Sequence, residues 1–117
     1  MWWTSRWIIG VVVLTAILAG GLISVTVLIQ RGVSEATALA ARAHAGDEVT
    51  ALMAYVASEQ HGLRDRNRAV WALGRLADPR ALPVLEHYYD GAPCDHSLRL
   101  CQYELEKAIA RCRRPPR

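Results

Sequence analysis

The chain has 117 residues, 52% of them apolar and 21% charged, with a formal net charge of +3. That length holds one small folded domain at most. Arg6 is the only charged side chain before Arg31, and every acidic residue lies beyond Gln30, which excludes a single, evenly composed globular unit. Residues 34–117 must therefore bury their own core, at a size where stability is marginal unless packing is efficient or a partner adds cover.

The first element is the uncharged run "WIIGVVVLTAILAGGLISVTVLI", 23 residues from Trp7 to Ile29. As a helix it covers about 34 Å, enough for a hydrocarbon core of about 30 Å. Trp2, Trp3 and Trp7 cluster at one end, where indoles favour the membrane–water boundary. A signal peptide has an apolar region of only about 7–15 residues and a small-x-small site close behind it. Here "AHA" at Ala43–Ala45 lies well downstream of the run. Residues 1–31 are therefore expected to be a single N-terminal transmembrane helix. Ala16, Gly20 and Ser24 recur at four-residue spacing and form a candidate helix-contact strip in the bilayer. Arg6 flanks one end and Arg31 and Arg42 the other, so the positive-inside rule is close to a tie. The basic balance downstream leans the C-terminal part toward the cytoplasm.

Beyond the run, Gly32 is expected to loosen the chain and Ser34 to cap a helix reaching Gly46. Asp47 then caps "EVTALMAYVASE", since its carboxylate can accept first-turn amides. Residues 60–63 read as a break, and Asp65 as the cap of "RNRAVWALGRLA". Asp78 followed by Pro79 is a stop-and-restart signal, because proline suits a first helical position and disfavours helix before it. "RALPVLEHYY" follows, then the turn-rich "DGAPCDH", then a last helix over Ser97–Cys112. No segment alternates like a strand, so the expectation is all-α, with a short α-solenoid of about five helices over residues 34–112 and a basic tail at 113–117.

The helices repeat. A shift of 32 residues carries Ala69, Leu73, Leu76 and Ala77 onto Cys101, Leu105, Ala108 and Ile109; a shift of 33 carries Val49, Leu52, Tyr55 and Val56 onto Leu82, Leu85, Tyr88 and Tyr89. A period in the low thirties built from helix pairs marks a solenoid. "RAVWALGRLADPRALPVL" resembles the short HEAT-like repeat of the PBS-lyase type. Arg68, Ala69, Ala72, Leu73, Gly74, Leu76, Asp78, Pro79, Ala81, Leu82 and Leu85 carry the likeness. The resemblance implies a scaffold for protein contacts. The last helix has no second helix of its own repeat, and a homo-oligomer or a partner could cover it.

Little in the sequence points to an enzyme. The histidines are scattered, with no HExxH-like spacing and no glycine-rich phosphate loop. Asp95, His96 and Ser97 are adjacent, so they cannot line up as nucleophile, base and orienter; Asp95 or Ser97 reads as a helix cap. Leu98, Cys101, Leu105, Ala108, Ile109 and Cys112 form one stripe at 100° per residue. Cys101 and Cys112 lie roughly 16 Å apart along it, which precludes a shared metal ion or a bond between them. Cys94 retains the option of pairing in an oxidising compartment. No cofactor or metal is expected. The tail "RCRRPPR" lacks interleaved aromatics, which argues against nucleic acid and leaves a solvated tail or attraction to acidic head groups.

One surface stands out. Arg64, Arg68, Trp71 and Arg75 are spaced by four, three and four, on the side of their helix opposite Ala69, Leu73 and Leu76. Tryptophan and arginine are enriched in contact hot spots, so these four are the candidate protein-contact residues. The expected function is a membrane-anchored adaptor or assembly factor for a protein partner, itself membrane-associated. The competing expectation is an accessory subunit that binds mainly through its transmembrane helix.

Overall fold

A computed structural model describes residues 2–114 and 116. Among the described residues all regular structure is helical: α1 (Trp2–Ala43), α2 (Glu48–Ala57), α3 (Leu63–Leu76), a 3-10 turn (Pro79–Ala81), α4 (Leu82–Tyr88) and α5 (Gln102–Arg113). The expected all-α architecture is what the chain adopts. It divides into two compact units, Met1–Gly32 and Val33–Arg117.

In the first unit the large apolar side chains from Trp2 to Leu28 are exposed. The most apolar stretch has a mean hydropathy of 2.6, and none of it is buried within the protein. Its hydroxyls need no outside partner. Thr15 Oγ1 donates to Val11 O (3.0 Å), Ser24 Oγ to Gly20 O (2.9 Å) and Thr26 Oγ1 to Leu22 O (2.8 Å). Such back-bonding satisfies the polar groups that a hydrocarbon environment would otherwise penalise. The helix is long and apolar enough to cross a membrane.

The expected break at Gly32–Ser34 is not there. α1 runs unbroken to Ala43, and Ser34 is an interior helical residue whose carbonyl accepts from Thr37 Oγ1 (2.9 Å). A glycine inside a helix costs only about 1 kcal/mol relative to alanine, and the alanine-rich stretch that follows favours propagation. The turn comes instead at Gly46, whose φ of +121° suits glycine alone.

The second unit is a small stack of helices. α3 packs between α2 and α5, and α4 packs on α5. Leu52, Val56, Val70, Leu73, Leu85, Leu105 and Cys112 are its largest fully buried side chains, and Ala36 and Ala40 near the end of α1 join the same core. At its tightest point a Cβ on Gly74 would lie 2.9 Å from Ala108 Cα, so α3 and α5 approach backbone to backbone. Leu105, Ile109 and Cys112 are covered within the unit, so the apolar side of α5 does not depend on a second copy for its burial.

Caps follow the sequence in part. Asp47 Oδ1 accepts the Thr50 amide (2.9 Å), as its position before α2 implies. Asp65 is not the cap of α3: the helix begins at Leu63 after Gly62, and Asp65 sits within the first turn, where a carboxylate is still favoured by the helix dipole. Ala77 closes α3 in the left-handed conformation (φ 52°), its amide bonded to Leu73 O. Asp78 then accepts the Arg80 amide (2.9 Å) and starts the 3-10 turn at Pro79.

The last helix is shorter than its stripe suggests. α5 starts at Gln102, and residues 96–98 form a turn held by Asp95, whose Oδ1 accepts the Ser97 amide (3.0 Å) and hydroxyl (2.6 Å). Local side-chain bonds of this kind compete with helix. Leu98 is left 76% exposed, and Leu100 is buried in its place.

Candidate protein-contact face

Buried polar residues set the frame around α3. Arg66, although charged, is buried: its Nε donates to Val56 O (2.8 Å), one of the last carbonyls of α2, and its guanidinium lies 5.5 Å from the Tyr88 ring. A cation at a helix C-terminus complements the dipole there. Gln102, also buried, ties the loop after α4 to α5. Its Oε1 accepts from the Asp90 and Gly91 amides, and its Nε2 donates to Tyr88 O and Leu100 O. Neither residue is singled out by any motif or by the repeat register.

The four predicted contact residues lie along α3 with different surroundings. Arg64 and Arg75 are exposed, while Arg68 and Trp71 are half-buried. Arg68 pairs with Glu35 near the end of α1 at 2.8 Å. Glu35, Ala38, Leu39, Arg42 and Arg68 together line a shallow cavity of about 250 Å³. The indole is not wholly outward, because Trp71 packs against the edge of the core. Its free face carries Arg75, whose guanidinium carbon is 5.8 Å from the ring centroid.

The same arrangement occurs once more. The 32-residue shift that aligns the cores of α3 and α5 carries Trp71 onto Tyr103 and Arg75 onto Lys107. Tyr103 is exposed, and Lys107 Nζ sits 4.5 Å from its ring centroid. A shift of 33 in the other direction carries Arg75 back onto the exposed Arg42. Positions of α1, α3 and α5 related by these shifts thus carry a cation each, two of them over an aromatic ring. The sequence reading missed Tyr103 and Lys107, although the shift it used for the core reaches them.

The small-residue strip of α1 is open. Ala16, Gly20 and Ser24 are exposed, and a Cβ on Gly20 would meet nothing within 4 Å. Two histidines that looked scattered are brought together: His44 Nε2 and His61 Nε2 are 3.1 Å apart, and His61 stacks on Tyr55 at 3.8 Å between ring centroids. The turn after α1 and the turn after α2 meet there. Among the described residues no group of three or more histidine, cysteine or carboxylate side chains is placed to hold a metal ion.

The thiols differ from one another. Cys112 is buried beside Leu73 O (3.7 Å), and burial raises its pKa. Cys94 is exposed and Cys101 buried, with their sulfur atoms 3.1 Å apart.

Residues 65–91, which cover α3 from Asp65 onward, the 3-10 turn and α4, match the family model of the PBS lyase HEAT-like repeat. The resemblance read from Arg68 to Leu85 therefore holds for this helix pair, and repeats of this class generally mediate protein–protein contacts. No curated protein and no solved structure matches the chain.

Proposed function

We propose that the chain is a single-pass, membrane-anchored HEAT-like module that holds a protein partner, itself membrane-associated, on the face of α3 and α5. The observation that carries this reading is the repeated aromatic–cation pair, Trp71 with Arg75 and Tyr103 with Lys107. Large, stiff aromatics beside long cations give contact area at low entropic cost and are the residue types that concentrate binding energy. Arg42 and Arg64 extend the same basic character, so the partner surface is acidic with apolar insertions.

The anchor rests on the uncharged 23-residue run and on the exposure of its side chains. A core helix of a soluble protein would be mostly buried. The bilayer is then the solvent that residues 7–29 of α1 face, and the basic balance of the downstream part leans the repeats toward the cytoplasm. Repeats of this class are typically non-catalytic, and the reading assigns the chain no reaction or cofactor.

A photocrosslinking side chain at position 75 or 103 of the full chain, in its own membrane, tests the face. A control at the exposed Glu48 of α2 serves as reference. A protein captured from 75 and 103 but not from 48 supports the reading; equal capture from all three removes the face. The second reading, binding through the bilayer, is favoured by the open Ala16–Gly20–Ser24 strip, whose serine hydroxyl is already satisfied by Gly20 O. Replacing α1 residues 7–29 with an unrelated apolar helix separates the two, since only the second reading loses the partner.

A further inference from the structure

Cys94 lies in the loop between α4 and α5, and Cys101 is the N-cap residue of α5. No side chain of the cap residue bonds to the first turn of that helix. The Cys94 sulfur takes that role from outside, accepting the Tyr103 amide at 3.3 Å. An amide donor at a helix N-terminus stabilises a thiolate. The Tyr103 amide, then the Cys101 thiol, hold the Cys94 pKa below the ordinary cysteine value. Burial acts in the opposite sense on Cys101 and raises its pKa. Cys101 is also fixed in place, its amide donating to Asn67 Oδ1 on α3 at 2.8 Å.

We propose that Cys94 and Cys101 form a thiol–disulfide exchange site, with Cys94 as the exposed attacking thiol and Cys101 as the buried resolving thiol, which closes an intramolecular disulfide when an external disulfide is supplied. The sulfur atoms are 3.1 Å apart, and a disulfide bond is about 2.05 Å, so closure needs a shift of about 1 Å. Cys94 sits in irregular backbone outside any helix, where such a shift breaks no helical hydrogen bond. In the first step the Cys94 thiolate attacks one sulfur of the external disulfide, forming a mixed disulfide and expelling one thiolate, which takes up a proton. In the second, Cys101 gives its proton to solvent and attacks Cys94 Sγ, expelling the second thiolate. Two electrons pass to the external disulfide, which leaves as two thiols. The bond would close the segment carrying Leu98, Arg99 and Leu100, which with Arg66, Tyr88 and Gln102 lines a cavity of about 360 Å³. Cys112, buried on the far end of α5, takes no part.

The test uses the reduced full chain in detergent micelles, exposed to oxidised glutathione and read by intact mass and tryptic mapping. Trypsin cuts after Arg99, which places the two cysteines on separate peptides. The wild type is expected to lose two hydrogens, to retain no glutathione and to yield the peptides of Cys94 and Cys101 joined, reversibly with dithiothreitol. Cys101→Ser should stop at a stable glutathione adduct on Cys94. Cys94→Ser, with unchanged helical circular dichroism, should react at least tenfold more slowly. A wild type that stops at the Cys94 adduct, one that does not react, or a Cys94→Ser chain that reacts at the wild-type rate would each overturn the proposal.

Discussion

Gly74→Ala is the most demanding test of the packing between α3 and α5. A Cβ at Gly74 would sit 2.9 Å from Ala108 Cα and 3.0 Å from Ala108 Cβ. Carbon atoms in ordinary contact lie at about 3.5–4.0 Å, so the helices must separate by roughly 0.5–1 Å. The first neighbour is backbone, which cannot rotate away. Overpacking of this kind costs about 1–3 kcal/mol, while replacing glycine in a helix returns up to about 1 kcal/mol. The packing cost wins, with a net loss of about 1–2 kcal/mol. For a domain of this size each kcal/mol moves the midpoint by about 4–8 °C, so Tm should fall by roughly 4–15 °C. Thermal unfolding of the full chain in detergent, followed by far-UV circular dichroism, measures it. Adding Ala108→Gly removes the contact at 3.0 Å but leaves Cα in place, so rescue should be partial and the two substitutions non-additive. An unchanged or raised Tm for Gly74→Ala would refute the close approach, because helix propensity alone would then decide the outcome.

Trp71→Ala removes a half-buried indole from the core edge and should cost about 2 kcal/mol, half of what a fully buried tryptophan loses. Arg75→Glu and Lys107→Glu, on exposed side chains, should leave Tm within the equivalent of about 0.5 kcal/mol yet reduce partner crosslinking; undiminished capture would show that the cations are not read. Hydrogen bonds from Thr50, then from Arg80, hold the Asp47 carboxyl well below the usual carboxylate range. Its stabilisation is thus present above the ordinary value of about 3.9 and lost as pH falls below it. Asp47→Asn should lower Tm at neutral pH and flatten the fall in Tm between about pH 4 and lower values, and a parallel acid profile would contradict the linkage. Gly20→Ile fills the open strip of α1 and should weaken association in a membrane reporter assay, whereas equal signal would discard the strip.

What the sequence made legible follows from the range of the forces involved. The apolar run, the Asp47 cap, the Asp78–Pro79 restart and the 32-residue register are set by near neighbours or by periodicity, and the helices formed where those signals pointed. Ser34 and Ser97 are strong cap residues by type, yet neither starts a helix. At Ser34 the cost of one glycine is smaller than the gain from continuing an alanine-rich helix. At Ser97 the competing partner is Asp95, two residues away, and the Cys101 amide beyond it is claimed by Asn67 from α3. Contacts of that second kind have no one-dimensional trace. Nothing local to Arg66 announces the Val56 carbonyl that it bonds, and the histidines read as scattered although two turns bring His44 beside His61. Tyr103 and Lys107 are different: the register that aligned Leu73 with Leu105 already aligned them with Trp71 and Arg75. Repeat periodicity was used to find the buried face. Applied to the opposite face, the same arithmetic reaches the aromatic–cation pairs that two neighbouring helices carry, since a solenoid repeats its surface along with its core.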